Sequence, residues 1–174
     1  MVSDQTDVHL THAPQFPHIE RSYERHHRKV QPDCYLLAPR GQPAYLWFTL
    51  VAGREECYLG TWIRNGSCKW SRVAACYSPE LCAGTLIRGS LVSGLDRRVF
   101  TCEDLHMFCG LYVGKQTLVN KLPFLAELFI NHLSNRAAPR PFIITKLPVW
   151  ASTWDEAEAR LKHIPYPLYR IRGF

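Results

Sequence analysis

From Cys34 to Leu105 the chain repeats one pattern, a short apolar or aromatic run followed by residues that favour a turn. "CYLLAP" (34–39) precedes the turn residues "RGQP" (40–43), and "AYLWFTLVA" (44–52) precedes "GRE". "ECYLGTWI" (56–63) ends at "RNG" (64–66), where Asn65-Gly66 accepts the positive φ of a tight hairpin. "CKWSRVAACY" (68–77) alternates as a strand does, and "GTLIRGSLV" (84–92), the turn "SGLDR" and "RVFTCEDL" (98–105) complete the series. Links this short restrict the chain to antiparallel neighbours, because a parallel return needs a crossover of roughly a dozen residues or more. A β-meander is therefore the expectation for this half.

After "CGLYVGKQTL" the apolar period lengthens. "KLPFLAELFINHLSN" (121–135) sets Leu122, Leu125, Leu128, Phe129 and Leu133 on one helical face, with Pro123 in the first turn and Ser134-Asn135 at the stop. "RPFIITKL" (140–147) returns to strand, and Thr153 with Glu156 forms a capping-box start for a helix over 154–163. "YPLYRIRGF" (166–174) reads as the last strand. The expected class is α+β, a mostly antiparallel sheet with two helices packed over or beside it. Residues 1–15 read as a flexible polar arm and 16–174 as one domain, with no internal repeat.

The 174 residues, 47% apolar and 21% charged, suit one globular domain with a full core. No run approaches the roughly 18 apolar residues of a membrane helix, so no membrane insertion is expected. The N-terminus has neither a basic nor an apolar signal region, so the chain is not expected to be secreted. Seven cysteines, nearly all inside apolar runs, fit reduced core thiols. No pair is spaced C-x-x-C, and neither a metal site nor a cofactor is expected. Adjacent His26-His27 and the acids Asp155, Glu156 and Glu158 read as solvent-facing and helix-dipole groups rather than catalytic sets.

A charge of +6 and a pI near 9.0 leave two readings open, a polyanionic neighbour or simply a soluble basic surface. The densest charge lies in "FPHIERSYERHHRKV" (16–30), where Arg28 and Lys29 can meet nucleic-acid phosphates, although Glu20 and Glu24 temper the field.

Three strings carry a likeness to a known superfamily. "GTLIRGSLV" (84–92), "RVFTCEDLHMFCGLYV" (98–113) and "NKLPFLAELF" (120–129) follow one another as do the later strands and helix of the nucleotidyltransferase domain. The chain resembles that domain of mRNA capping guanylyltransferases and nucleic-acid ligases, and more closely the non-catalytic cap-binding relative snurportin. Asp104, Phe108 and Gly110 match the spacing of the cap-binding turn. The opening half, with Phe16-Pro17, Ser22-Tyr23-Glu24 and Leu46-Trp47-Phe48-Thr49, is similar to a family of nucleocytoplasmic large DNA viruses. The likeness extends over residues 16–174. It implies a viral protein of the host cytoplasm (the viral factory) or of the virion, with a nucleotidyltransferase-like fold lacking an OB domain.

Covalent nucleotidyl transfer in that superfamily uses the lysine of K-x-D-G, carboxylates for a divalent metal, and cations on the phosphates. K-x-D-G does not occur in this chain. The nearest cation before "YLWF" is Arg40, which keeps its proton and cannot attack. Arg88 and Ser90 stand where the pattern G-T-L-x-D-G-E-L-V has its acids. The resemblance therefore implies no catalytic residue, and a cationic site that binds a nucleotide, a cap or an RNA 5′ end without metal. Its candidate ligand residues are Arg40, Trp47, Arg88, Phe108 and Lys146, with Arg28, Lys29, Arg170 and Arg172 for nucleic acid. Trp47 and Phe108 read more readily as core, Trp47 above all, since aromatics in apolar strands usually are. The alternative is structural, a minor capsid or scaffold protein that reuses the fold and has other viral proteins as partners.

Overall fold

The computed structural model describes residues 35–63, 68–92, 98–133, 143–146, 149–164 and 166–173, and in it the expected meander forms only in part. Strands β1 (Tyr35–Pro39) and β2 (Gln42–Val51) are separated by Arg40 and Gly41 alone. β2 then pairs with β3 (Arg54–Trp62) through a two-residue turn at Ala52 (φ 48°) and Gly53 (φ 76°). Positive φ at both central positions matches the right-handed strand twist, so the turn sits at Ala52-Gly53 and not at "GRE". The expected strand 68–77 shortens to β4 (Cys68–Arg72), and Pro79–Ala83 form a 3-10 turn. β5 (Thr85–Val92) pairs with β6 (Arg98–Phe108), and β7 (Leu111–Tyr112) folds back on β6. The turns at 64–66 and 93–97 lie outside the described residues, as do the arm and Arg28 and Lys29.

All of these strands except β1 join a seven-stranded sheet in the order β4-β3-β2-β5-β6-β7, with β5 beside β2 rather than beside β4, and in it β8 (Ile143–Lys146) pairs with the first half of β6. That pairing is parallel, and the others are antiparallel. Alternation on β2 decides the faces. Ala44, Leu46 and Phe48 enter the main core with Phe100 and Leu105, while Tyr45 and Trp47 join Tyr58 and Trp70 on the opposite face. Gly60 makes that aromatic face possible, since a Cβ there would lie 2.7 Å from the Trp70 ring. Each fully buried Phe or Leu of the main core contributes about 1.5–3 kcal/mol.

The helix α1 (Leu118–Glu127) caps the main core three residues earlier than expected. Thr117 is extended (ψ 157°), and the helix turns from there, so Pro123 is interior and Leu122 is exposed rather than buried. The face that packs carries Lys121, Leu125 and Leu128. Pro123 has no N–H for the Val119 carbonyl, and it is tolerated because both residues lie on the solvent side. From Leu128 to His132 the helix widens into a π-turn, and the Leu133 N–H donates to the Leu128 carbonyl at 2.9 Å.

The last strand is not part of this sheet. β9 (Val149–Ala151) and β10 (Leu168–Gly173) flank β1 in a separate antiparallel sheet, order β10-β1-β9. The helix α2 (Trp154–Arg160) packs on it through Ala157 against Leu37 and Ala151. The expected Thr153 cap forms, its Oγ1 accepting the Glu156 N–H at 3.2 Å, while the Glu156 carboxylate reaches one residue further back than a capping box does and accepts the Ser152 N–H at 2.7 Å. Tyr166 ties the two sheets together. Its hydroxyl donates to the Leu37 carbonyl and accepts from the Val149 N–H, each at 2.8 Å, while its ring packs on Val92 and Val99. The chain is thus α+β with mostly antiparallel strands, in two sheets where one was expected. Among the described residues no helix is long and apolar enough to cross a membrane.

Candidate functional site

The core residues of β6 are Phe100, Cys102, Leu105 and Phe108, spaced by two and then twice by three. A regular strand would keep the spacing at two, so each longer step absorbs an extra residue. The pairing with β5 shifts at the same places, between Leu86 and Ile87 and between Arg88 and Gly89. These two bulges turn Glu103, Asp104 and His106 away from the core, beside Arg88 and Ser90 of β5. This spacing was present in "VFTCEDLHMF" and is the signal by which sequence reading would have found the cluster.

Arg88 lies between Tyr45 on β2 and Asp104 on β6 in the sheet register. It is half-buried, and its guanidinium has no hydrogen bond or ion pair among the described residues. Its charge acts on both Tyr45 and His106. Asp104 is committed elsewhere: Oδ1 accepts from Lys121 Nζ at 2.7 Å and from the Leu105 N–H at 2.8 Å. Lys121 Nζ also donates to the Gly114 carbonyl at 3.2 Å, and its side chain is only 4% exposed. Ser90 Oγ donates to Glu103 Oε1 at 2.5 Å. His106 Nε2 is enclosed, 4.0 Å from Asp104 Oδ2, and burial lowers the imidazole below the ordinary histidine range. Tyr45 stands edge-on to Trp62, 6.1 Å between ring centroids, and burial raises its hydroxyl pKa.

The residues expected to share one site are divided. Trp47 does lie on the Arg88 face, half-buried against Trp70 (5.6 Å) and Tyr58 (6.1 Å). Phe108 does not: it is 6% exposed on the opposite face, packed on Phe124 and His132 at 5.7 Å each. A base cannot stack on a ring both of whose faces are covered, so Phe108 is core and cannot work with Trp47 across the sheet. Arg40 is exposed at the β1–β2 junction, its N–H donating to the Pro167 carbonyl. The Lys146 backbone pairs with Thr101 on β6. Arg170 and Arg172 belong to the small sheet, opposite Ala38 and Leu36, and Arg170 stacks 5.2 Å over Tyr169. Strand β10 therefore does not bring them onto the sheet that carries Arg88. Asp104 and His106 beside Arg88, with Lys121 on Asp104 and Glu103 on Ser90, are not evident as site residues from the sequence.

Chemically, the arrangement offers an uncommitted cation beside aromatic rings, with the nearest carboxylates already holding hydrogen bonds. Lys121 makes no free nucleophile, because its ammonium is enclosed between a carboxylate and a carbonyl. No group of three or more His, Cys, Asp or Glu among the described residues is placed to hold a metal. The six described cysteines are free, and burial pushes the thiols of Cys57 and Cys102 far up and that of Cys68 to about 11. Thiols this weakly acidic are inert near neutrality. Alkylation of the native protein is accordingly expected to spare Cys57 and Cys102, and to label both once urea unfolds it, as read by peptide mass mapping.

Fold and site together define an α+β protein whose large sheet carries Arg88 among aromatic rings and paired acids on one face. A comparison with protein-family models and with curated proteins finds no match to this chain.

Proposed function

We propose that this protein is a catalytically silent, nucleotidyltransferase-like binding protein that holds a nucleotide, a cap or a phosphorylated RNA 5′ end on the Arg88 face of its large sheet. One observation carries the reading, the half-buried Arg88 guanidinium without a partner among the described residues. A guanidinium has five donors and no route to neutrality, so withdrawal from water without an anion is unfavourable. A bound phosphate satisfies it with charge-assisted hydrogen bonds. Trp47 and Trp62 stand on or beside the same face, where a base finds flat partners. Support for the family comes from the "GTLIRGSLV" frame, with Arg88 and Ser90 in place of acids, and for a viral origin from the likeness of the opening half.

Titration with GTP and with cap analogue, followed by the fluorescence of these tryptophans, is expected to saturate without magnesium. Arg88→Gln should weaken binding about 10- to 100-fold, the loss of one hydrogen-bonded charge. No change in fluorescence or melting temperature at millimolar ligand would end the reading. GTP radiolabelled at the α-phosphate is expected to leave no covalent band on the protein.

A second reading, a virion or scaffold component, is favoured by one different feature. Val119, Leu122 and Ile130 on the outer side of α1 and its π-turn are 61%, 45% and 78% exposed. Apolar side chains aligned on an open helix face suit a protein contact. Under that reading Ile130→Glu abolishes near-stoichiometric co-purification with particles and leaves the GTP titration unchanged; retention on particles would speak against it.

A further inference from the structure

The second bulge of β6 leaves His106 on the Arg88 face without an evident part in binding. Its Nε2 is enclosed, takes no hydrogen bond among the described residues, and lies 4.0 Å from Asp104 Oδ2. The charged and titratable groups that face it come from every side: Tyr45 of β2, with ring centroids 6.2 Å apart, Arg88 of β5, Asp104 of its own strand and Lys121 of α1. An enclosed ring nitrogen that lacks a partner is unfavourable unless some state of the protein supplies one.

We propose that Arg88 and His106 form a proton-coupled oxyanion site, in which a multiply charged phosphate group held by Arg88 is accompanied by a proton taken up at His106. The proposal rests on the reading of Arg88 given above and names its regulation. Without ligand, Arg88, Lys121 and the Asp104 carboxylate surround the imidazole, and the largest cause of its lowered pKa is desolvation by burial, which disfavours its charged form. A dianion at Arg88 reverses the local charge balance. His106 then gains a proton, and a small rotation closes the gap from Nε2–H to Asp104 Oδ2, which gives the orphaned atom a charged acceptor. Asp104 cannot move instead, because Lys121 and the Leu105 N–H hold its other oxygen.

The sign follows from reciprocity: an anion that raises the proton affinity of His106 is itself bound more tightly as protons become available. Because the free-state imidazole is depressed, affinity rises as pH falls from above the bound-state pKa towards the free-state one. The effect scales with ligand charge, so a terminal phosphate monoester or a triphosphate couples more strongly than a singly charged diester.

Inorganic sulfate is the probe, because its charge is constant over the window in which histidine titrates. In the full chain, sulfate affinity should be about tenfold higher at about pH 5.5 than at about pH 8, which corresponds to a one-unit change in the His106 pKa. His106→Gln keeps the ring's volume approximately and should still bind, with a pH dependence that is flat at this site. Arg88→Gln should lose sulfate at every pH, with circular dichroism confirming that it is folded. The NMR resonances assigned to His106 by their absence from the glutamine variant should titrate at higher pH when sulfate is present. If GTP binds through Arg88 but the slope persists in His106→Gln, the coupling is wrong and the reading of Arg88 stands. If neither sulfate nor GTP binds the wild-type protein at any pH, the reading of Arg88 itself is lost.

Discussion

Gly89→Ala is expected to destabilise this protein by more than about 3 kcal/mol, beyond the usual range for an overpacked core position. A Cβ on Gly89 would lie 1.9 Å from the Thr101 carbonyl oxygen and 2.7 and 2.8 Å from two atoms of the Phe100 ring. The ring is fully buried in the main core and has little room to turn. The carbonyl has less, because it belongs to β6, the partner of β5 in the register that brings Arg88 to Asp104. The added methyl therefore has to separate the two strands, and it does so at the bulge that shapes the site. For a domain of this size the loss lowers the melting temperature by roughly 6–12 °C, read by calorimetry or circular dichroism. Gly53 is the contrasting control. Nothing lies within 4 Å of a Cβ there, and the strain comes only from φ +76°. Gly53→Ala should lose about 1–2 kcal/mol. A Gly89→Ala protein that melts with the wild type would show that the β5–β6 approach is wider than described, and the bulge geometry would fall with it.

Lys121→Met carries the second large effect. The Lys121 ammonium is almost wholly enclosed, and it joins α1 to the β6 bulge through Asp104 and to the loop before α1 through Gly114. Removal of the cation leaves the Asp104 carboxylate with the Leu105 N–H as its remaining hydrogen bond among the described residues. Breaking a buried pair typically destabilises by about 3–5 kcal/mol; Asp104 is 29% exposed and regains some water, which places the expected loss near the lower end. Asp104→Asn, which strands the charge on the more enclosed partner, should be at least as harmful. The double variant Lys121→Met with Asp104→Asn should recover more than half of the summed loss, because no unpaired charge remains. Urea denaturation of the four proteins in a double-mutant cycle measures this. Additive losses would mean that the two groups do not act as a pair.

Local chemistry made much of the architecture legible. The apolar runs of β1, β2, β3 and β5 are nearly continuous because both faces of these strands are buried, and Thr153 with Glu156 marked the start of α2 because capping involves neighbours only. The start of α1 differs from the sequence expectation for a physical reason. Pro123 suggested a first turn, but Thr117 begins the helix and rotates Leu122 into solvent and Lys121 into the core. The site was only half legible. Arg88 was visible as a cation in an acid's place. Its neighbours were not, because they depend on which residues of β6 are absorbed by bulges, although the spacing of Cys102, Leu105 and Phe108 contained that information. Phe108 was placed among ligand groups by its interval from Asp104, and its burial shows that an interval along a strand says nothing about which face a ring occupies.

By itself the sequence determined the order of strands and helices, the β2–β3, β3–β4 and β5–β6 hairpins and the lack of a K-x-D-G lysine, since each is settled within a few residues of chain. Only the tertiary structure decided that β1, β9 and β10 leave the main sheet, that β8 joins β6 in parallel, and that an enclosed lysine holds Asp104 while Arg88 stays uncommitted. Those outcomes rest on contacts between distant segments, such as Tyr166 with Leu37, 129 residues apart. Their free energy comes from burial and hydrogen bonding that exist only once both segments are in place.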